Sequence, residues 1–140
     1  MLSRPDNLWQ SFAATAAATP DRVALAVADR VVTFVELEGY AVRCAAWLSA
    51  RGVSRGDIVA LQLPKRLEAY ALWLACLRQG APYVFIDPRN PQYRTAAILA
   101  RLSPKLVITD GTAASVADDT VVLPHGPASA AWLDGLSAES

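Results

Sequence analysis

The segment that most constrains this chain runs from Ile58 to Ile86. It opens with Ile58-Val59-Ala60-Leu61-Gln62-Leu63, an almost continuously apolar run of strand length stopped by Pro64. A strand without polar alternation has no face to give to water, so it fits a sheet covered on both sides. The stretch Arg66 to Gln79 follows, apolar nearly all round through Tyr70, Leu72, Trp73, Leu74 and Leu77, and closed by Gly80. A helix of that composition must be enclosed. Tyr83-Val84-Phe85-Ile86 then reads as a second strand, and Lys105 to Thr109 and Thr120 to Leu123 as two more. Between them, Asn90-Pro91 predicts a helix start, with Asn accepting from free N–H groups and Pro in the first turn. Ile98, Leu99 and Leu102 supply that helix's apolar face, and Ala113 to Val116 fits a helical turn. Strands alternating with helices at this spacing predict a layered α/β domain, its sheet mostly parallel and flanked by helices.

Upstream, Leu8, Phe12 and Ala16 recur at helical spacing until Thr19-Pro20-Asp21, because the residue before proline is pushed out of the α region. Val23 to Val27, a turn at Asp29-Arg30, and Val31-Val32 predict a small hairpin without the usual Asn-Gly or Asp-Gly signal. Thr33-Phe34-Val35-Glu36 has the form of a capping box, and Leu37, Ala41, Cys44 and Leu48 follow on one face until Gly52. From Pro124 to Ser140 the chain is rich in Ala, Ser, Gly and Pro, with one weak apolar cluster at Trp132-Leu133. The expected organisation is one domain over residues 1–123, then a loop or frayed tail over 124–140.

Charge excludes some partners. Thirteen basic residues balance 13 acidic ones across 140 residues, so electrostatics implies neither nucleic acid nor an anionic membrane. With 54% hydrophobic and 19% charged residues and a mean hydropathy of +0.26, the chain is too apolar for disorder. Its longest nearly uninterrupted apolar run, Ala69 to Leu77, is too short for a membrane span. Asp6, Asn7, Gln10 and Ser11 interrupt any secretory h-region. Cys44 and Cys76 stand alone, suggesting neither a disulfide framework nor a zinc site, so a reducing cytoplasm is the expected compartment.

The glycines at 39, 52, 56, 80, 111, 126 and 135 form neither phosphate-loop pattern. His125, in Leu-Pro-His-Gly-Pro, reads as a loop residue rather than a general base. Asp87 and Asp110 follow strands, where α/β sheets bind ligands, but both also suit turns, which is the favoured reading. Lys65-Arg66 could meet an anion or form a solvated corner. Gly39 sits inside a helix at a cost of roughly 1 kcal/mol, which points to close packing. Trp47, Tyr70 and Trp73 lie at helical spacing and read as core rather than a stacking platform. No residue is assigned a catalytic, cofactor-binding or metal-binding role.

Two ordered motifs carry a resemblance. Val32-Thr33-Phe34-Val35-Glu36-Leu37 resembles the first core motif of nonribosomal peptide synthetase adenylation domains, L-T-Y-x-E-L. Cys76-Leu77-Arg78-Gln79-Gly80-Ala81-Pro82-Tyr83-Val84-Phe85-Ile86-Asp87-Pro88 is similar to the second, L-K-A-G-x-A-Y-V-P-L-D. Trp47 to Val53, Gly56 to Ala60, Arg94 and Leu106 to Asp110 also match the family, so the likeness spans about Leu8 to Gly111. Val32 stands for Leu, Phe34 for Tyr, and Phe85 for the second motif's Pro. The resemblance implies the incomplete N-terminal subdomain of an adenylate-forming enzyme. The complete enzyme would use ATP and Mg²⁺ to make an aminoacyl adenylate, then pass the acyl group to a carrier-protein thiol. The family's phosphate loop, amino-acid pocket, ribose-binding aspartate and catalytic lysine belong to later motifs. The chain is therefore expected to be inactive and cofactor-free alone, and to partner with the remainder of the domain or a complementary chain. It would be a gene fragment or half of a split enzyme, with an open sheet edge and an apolar patch that favour association. The alternatives are a non-catalytic α/β interaction module docking on a synthetase, a fragment of an acyl-CoA synthetase-like ligase, or an unrelated small α/β binding protein.

Overall fold

The computed structural model describes residues 8–27, 30–110, 120–124 and 127–136. In chain order the elements are α1 (Leu8–Ala18), β1 (Val23–Val27), β2 (Arg30–Thr33), α2 (Phe34–Ala50), β3 (Val59–Gln62) and α3 (Leu67–Gln79). They continue as β4 (Tyr83–Phe85), α4 (Gln92–Leu102), β5 (Leu106–Thr109), β6 (Thr120–Val122) and α5 (Pro127–Asp134). The strands β1 and β2 form the expected antiparallel hairpin, with an irregularity between Val23 and Leu25. The other four form one parallel sheet in the order β4-β3-β5-β6.

The apolar run of β3 is explained by cover on both faces. Val59 and Leu61 enter the larger core with Leu48 of α2, Leu72 of α3 and Ile108 of β5. Ala60, one pleat away, packs instead with Ile86, Val107 and Leu99 of α4. Successive side chains of a strand point to opposite faces, so an uninterrupted apolar run feeds two cores at once. The all-round apolar helix α3 is correspondingly sunk, with Leu67, Leu72, Leu74 and Cys76 buried.

Local chemistry sets the boundaries. Thr33 Oγ1 accepts from the Glu36 N–H at 3.3 Å, while Glu36 Oε1 accepts from the Thr33 N–H at 2.8 Å, completing the capping box. Gly80 closes α3 at φ 71°, a left-handed conformation that a side chain would disfavour. Among the described residues no helix is long and apolar enough to cross a membrane.

Three expectations are corrected. The stretch 124–140 is not simply loop: α5 forms there, Leu133 is fully buried in the main core, and the Trp132 ring meets Trp47 edge-on at 5.3 Å. An eight-residue, alanine-rich helix has too few turns to show a period, and distant side chains hold it. Asn90 is not the α4 cap. Pro91 occupies that position without a side-chain bond, and the Asn90 N–H donates to the Asp87 carbonyl at 3.0 Å within the preceding turn. Close packing does not explain Gly39, since a Cβ there would meet only a terminal nitrogen of Arg43, at 3.9 Å. His125, Gly111 and Ala113 to Val116 lie outside the described residues.

Candidate functional site

Strand order locates the site. From β3 the chain crosses through α3 to β4 on one side, then through α4 to β5 on the other side of β3. The carboxyl ends of β3 and β5 therefore flank a topological switch point, where open α/β sheets leave a ligand-binding crevice. Gln62 ends β3, Thr109 ends β5 opposite it in register, and Asp110 follows immediately.

These rim residues are polar and yet enclosed. Gln62 is 1% exposed, and its Nε2 donates to the Thr95 hydroxyl of α4 at 3.3 Å. Its Oε1 is buried without a hydrogen-bond partner among the described residues. A buried amide oxygen in that condition costs on the order of 1–3 kcal/mol unless a donor reaches it. Thr109 and Asp110 are buried beside it. The signal for Gln62 is present in the sequence as the one polar residue inside an apolar run, but its partner Thr95 lies a crossover away.

The two aspartates part company here. Asp110 lies buried at the switch point, whereas Asp87 is exposed beyond the edge strand β4. Asp87 Oδ1 accepts from the Arg89 N–H at 2.9 Å, and the Arg89 guanidinium bonds both of its oxygens at 3.2 and 3.1 Å. The Arg89 side chain, more than its backbone N–H, holds the Asp87 carboxyl below its ordinary range. That is the turn role. Lys65 is exposed, and Arg66 lies 3.9 Å from the buried Glu68, a local contact at the start of α3.

A second polar cluster ties α5 to the hairpin and α2. The Tyr40 hydroxyl donates to Asp134 Oδ1 at 2.7 Å and accepts from Arg30, which also donates to Asp134 at 3.2 Å. The guanidiniums of Arg30 and Arg43 lie 5.5 and 5.0 Å from the Tyr40 ring centre. The Tyr40 bond first, helped by Arg30, keeps the Asp134 carboxyl below its usual range. Arg30 and Asp134 pair with each other, and Arg43 stacks on the Tyr40 ring with its buried Nε lacking a hydrogen-bond partner among the described residues, so this cluster fastens elements together. The thiols are silent: burial pushes Cys76 up to about 12 and Cys44 higher still. The aromatic residues of α2 and α3 serve packing, with Trp73 edge-on to Tyr83 at 6.1 Å.

Chemically, the switch point gathers an amide, a hydroxyl and a carboxyl, and the Gln62 Oε1 acceptor is the group there without a hydrogen-bond partner among the described residues.

The family model for AMP-binding enzymes matches residues 12–137. A dimodular nonribosomal peptide synthase of Bacillus subtilis is 36% identical over 117 residues, covering 83% of this chain and 5% of that protein. Among solved structures, VinN in complex with 3-methylaspartate superposes with a TM-score of 0.74 at 30% identity, over 77% of this chain and 30% of the other. The N-terminal subdomain of Klebsiella oxytoca NpsA, in complex with 3-hydroxyanthranilyl-AMSN, gives 0.84 over 98% of this chain and 34% of that one. At 23% identity this last likeness speaks for the fold alone. The chain thus spans about a third of these solved relatives and a far smaller share of the synthase.

Proposed function

The chain belongs to the AMP-binding enzyme family as the N-terminal part of a nonribosomal peptide synthetase adenylation domain, and from that premise we propose that it supplies one wall of an amino-acid-activating site completed by further polypeptide. The observation that carries this reading is the switch point itself, where Gln62 holds a buried acceptor without a hydrogen-bond partner among the described residues and the buried Asp110 follows β5. The complete enzyme would condense an amino acid with ATP and Mg²⁺ to an aminoacyl adenylate and pyrophosphate, then deliver the acyl group to a carrier-protein thiol in the cytoplasm. The peptide synthase relative and the 3-methylaspartate complex of VinN support an amino acid over another acid. So does the run Tyr83-Val84-Phe85-Ile86-Asp87-Pro88.

The glycines of this chain form neither phosphate-loop pattern, so the nucleotide's phosphates are assigned to the remainder of the domain. The chain's part is to position: a rigid parallel sheet fixes the crevice wall, and α4 holds Gln62 through Thr95. Pyrophosphate exchange tests this. The chain alone should show no amino-acid-dependent exchange, and co-expression with the later segments of a related adenylation domain should produce it. Robust exchange by the chain alone would overturn the reading. So would a folded two-chain complex in which Asp110→Asn and Gln62→Leu leave amino-acid KM and exchange rate unchanged.

A further inference from the structure

We propose that the outer edge of β4 pairs with the same edge of a second copy of this chain, joining two parallel sheets into one continuous sheet across an antiparallel seam. In the sheet order β4 is terminal, and among the described residues no strand lies beyond it. The Ile86 N–H donates to the Leu61 carbonyl, and the Pro82 carbonyl accepts from the Val59 N–H, so these alternate residues turn their backbone groups toward β3. Tyr83 and Phe85, between them, turn theirs outward. Their side chains are exposed as well, Tyr83 by 36% and Phe85 by 51%, with rings 5.6 Å apart. Edge strands are ordinarily guarded by proline, charge or a bulge. Phe85 stands where the motif this stretch resembles has a proline, and so adds an outward N–H and an exposed ring to that edge.

The occupant follows from the edge's self-complementarity. Two β4 strands laid antiparallel about Val84 set Tyr83 of one chain opposite Phe85 of the other. Both residues face outward, so each such pair exchanges both of its N–H···O bonds, and the two-fold axis repeats the pair. Charge does not oppose the pairing: Asp87, which follows β4, is already neutralised by Arg89, so the seam is decided by the outward backbone groups and the two rings. Area then sets the strength. A fully buried Tyr or Phe covers roughly 150–250 Å², so the exposed parts of these rings contribute about 350 Å² across both chains. A durable interface needs about 1,000 Å², which makes this association weak and concentration-dependent.

Sedimentation velocity over a wide concentration series decides it. The wild-type chain should shift toward dimer as concentration rises. Phe85→Pro, which removes the outward N–H and the ring, should weaken association about tenfold or more with an unchanged circular dichroism spectrum. Phe85→Lys, which keeps the backbone donor and charges the seam, should also weaken it and serves if the proline variant does not fold. Val122→Pro, on the opposite edge at β6, should leave association intact. A wild-type chain that stays monomeric throughout refutes the proposal, as does a dimer indifferent to both Phe85 changes or one lost through Val122→Pro. The β4 edge lies across β3 from the crevice, so either result leaves the proposed function standing.

Discussion

Leu133→Ala tests whether α5 belongs to the cooperative core. Leu133 is fully buried among residues of α2 and α3, in a segment whose composition alone reads as a frayed end. Removing three carbons from such a position loses the transfer free energy and leaves a cavity, a combination that costs about 2–5 kcal/mol in well-packed cores. Helix α5 is short and terminal, so it can settle inward, which places the expected loss near the lower end, about 2–3 kcal/mol. An unfolding entropy of about 2.1 cal/mol/K per residue over a chain of this length converts that into a fall in Tm of about 7–10 °C. The assay is urea unfolding followed by tryptophan fluorescence, because Trp132 packs edge-on against Trp47 and reports the same packing. The urea midpoint should fall with the slope unchanged. A loss below about 0.5 kcal/mol, the range of ordinary surface substitutions, would refute the reasoning and show that α5 detaches before the core melts.

Two further outcomes follow from local chemistry. Thr33→Ala removes half of the capping box and should cost about 1 kcal/mol in urea unfolding; an unmoved midpoint would mean that the start of α2 is held by packing alone. The Asp134 carboxyl is depressed below its ordinary range, so its contribution is present above the unfolded value and lost as pH falls through the folded one. Stability should therefore be flat near neutrality and decline below about pH 4, and Tyr40→Phe, by deleting the largest cause of the depression, should make the acid decline shallower. Superimposable wild-type and Tyr40→Phe acid profiles would count against that bond.

What could be read from the sequence was what neighbouring residues decide. The capping box, the glycine stop at Gly80 and the enclosed strand β3 each follow from a handful of adjacent side chains, and each is present. Two of the failures come from context outside the local segment. Asn90 is a good cap in isolation, but the turn from Asp87 to Asn90 puts Pro91 at the cap position, and α4 starts at Gln92. Helix α5 shows no legible period because its anchors are single contacts to remote elements: Trp132 to Trp47, and Asp134 to Tyr40 and Arg30.

The site was legible only as a direction along the strands. Asp87 and Asp110 had equal standing in the sequence, each an aspartate just past an apolar run, each suited to a turn. Strand order separates them, and strand order is a non-local property. Because β5 returns to the far side of β3, the residue after β5 falls beside the end of β3, while the residue after β4 falls at the open edge. Burial follows from that placement, and so does chemistry. At the edge, Asp87 satisfies its charge with Arg89 and becomes a turn; at the switch point Asp110 is enclosed next to Gln62 and Thr109. The same argument explains why Gln62 is tolerated in a strand that otherwise feeds two cores: it sits at the last position of β3, where one face gives way from Leu99 of α4 to the hydroxyl of Thr95. A polar side chain there meets a polar partner, whereas one position earlier on that face, at Ala60, it would meet only hydrocarbon.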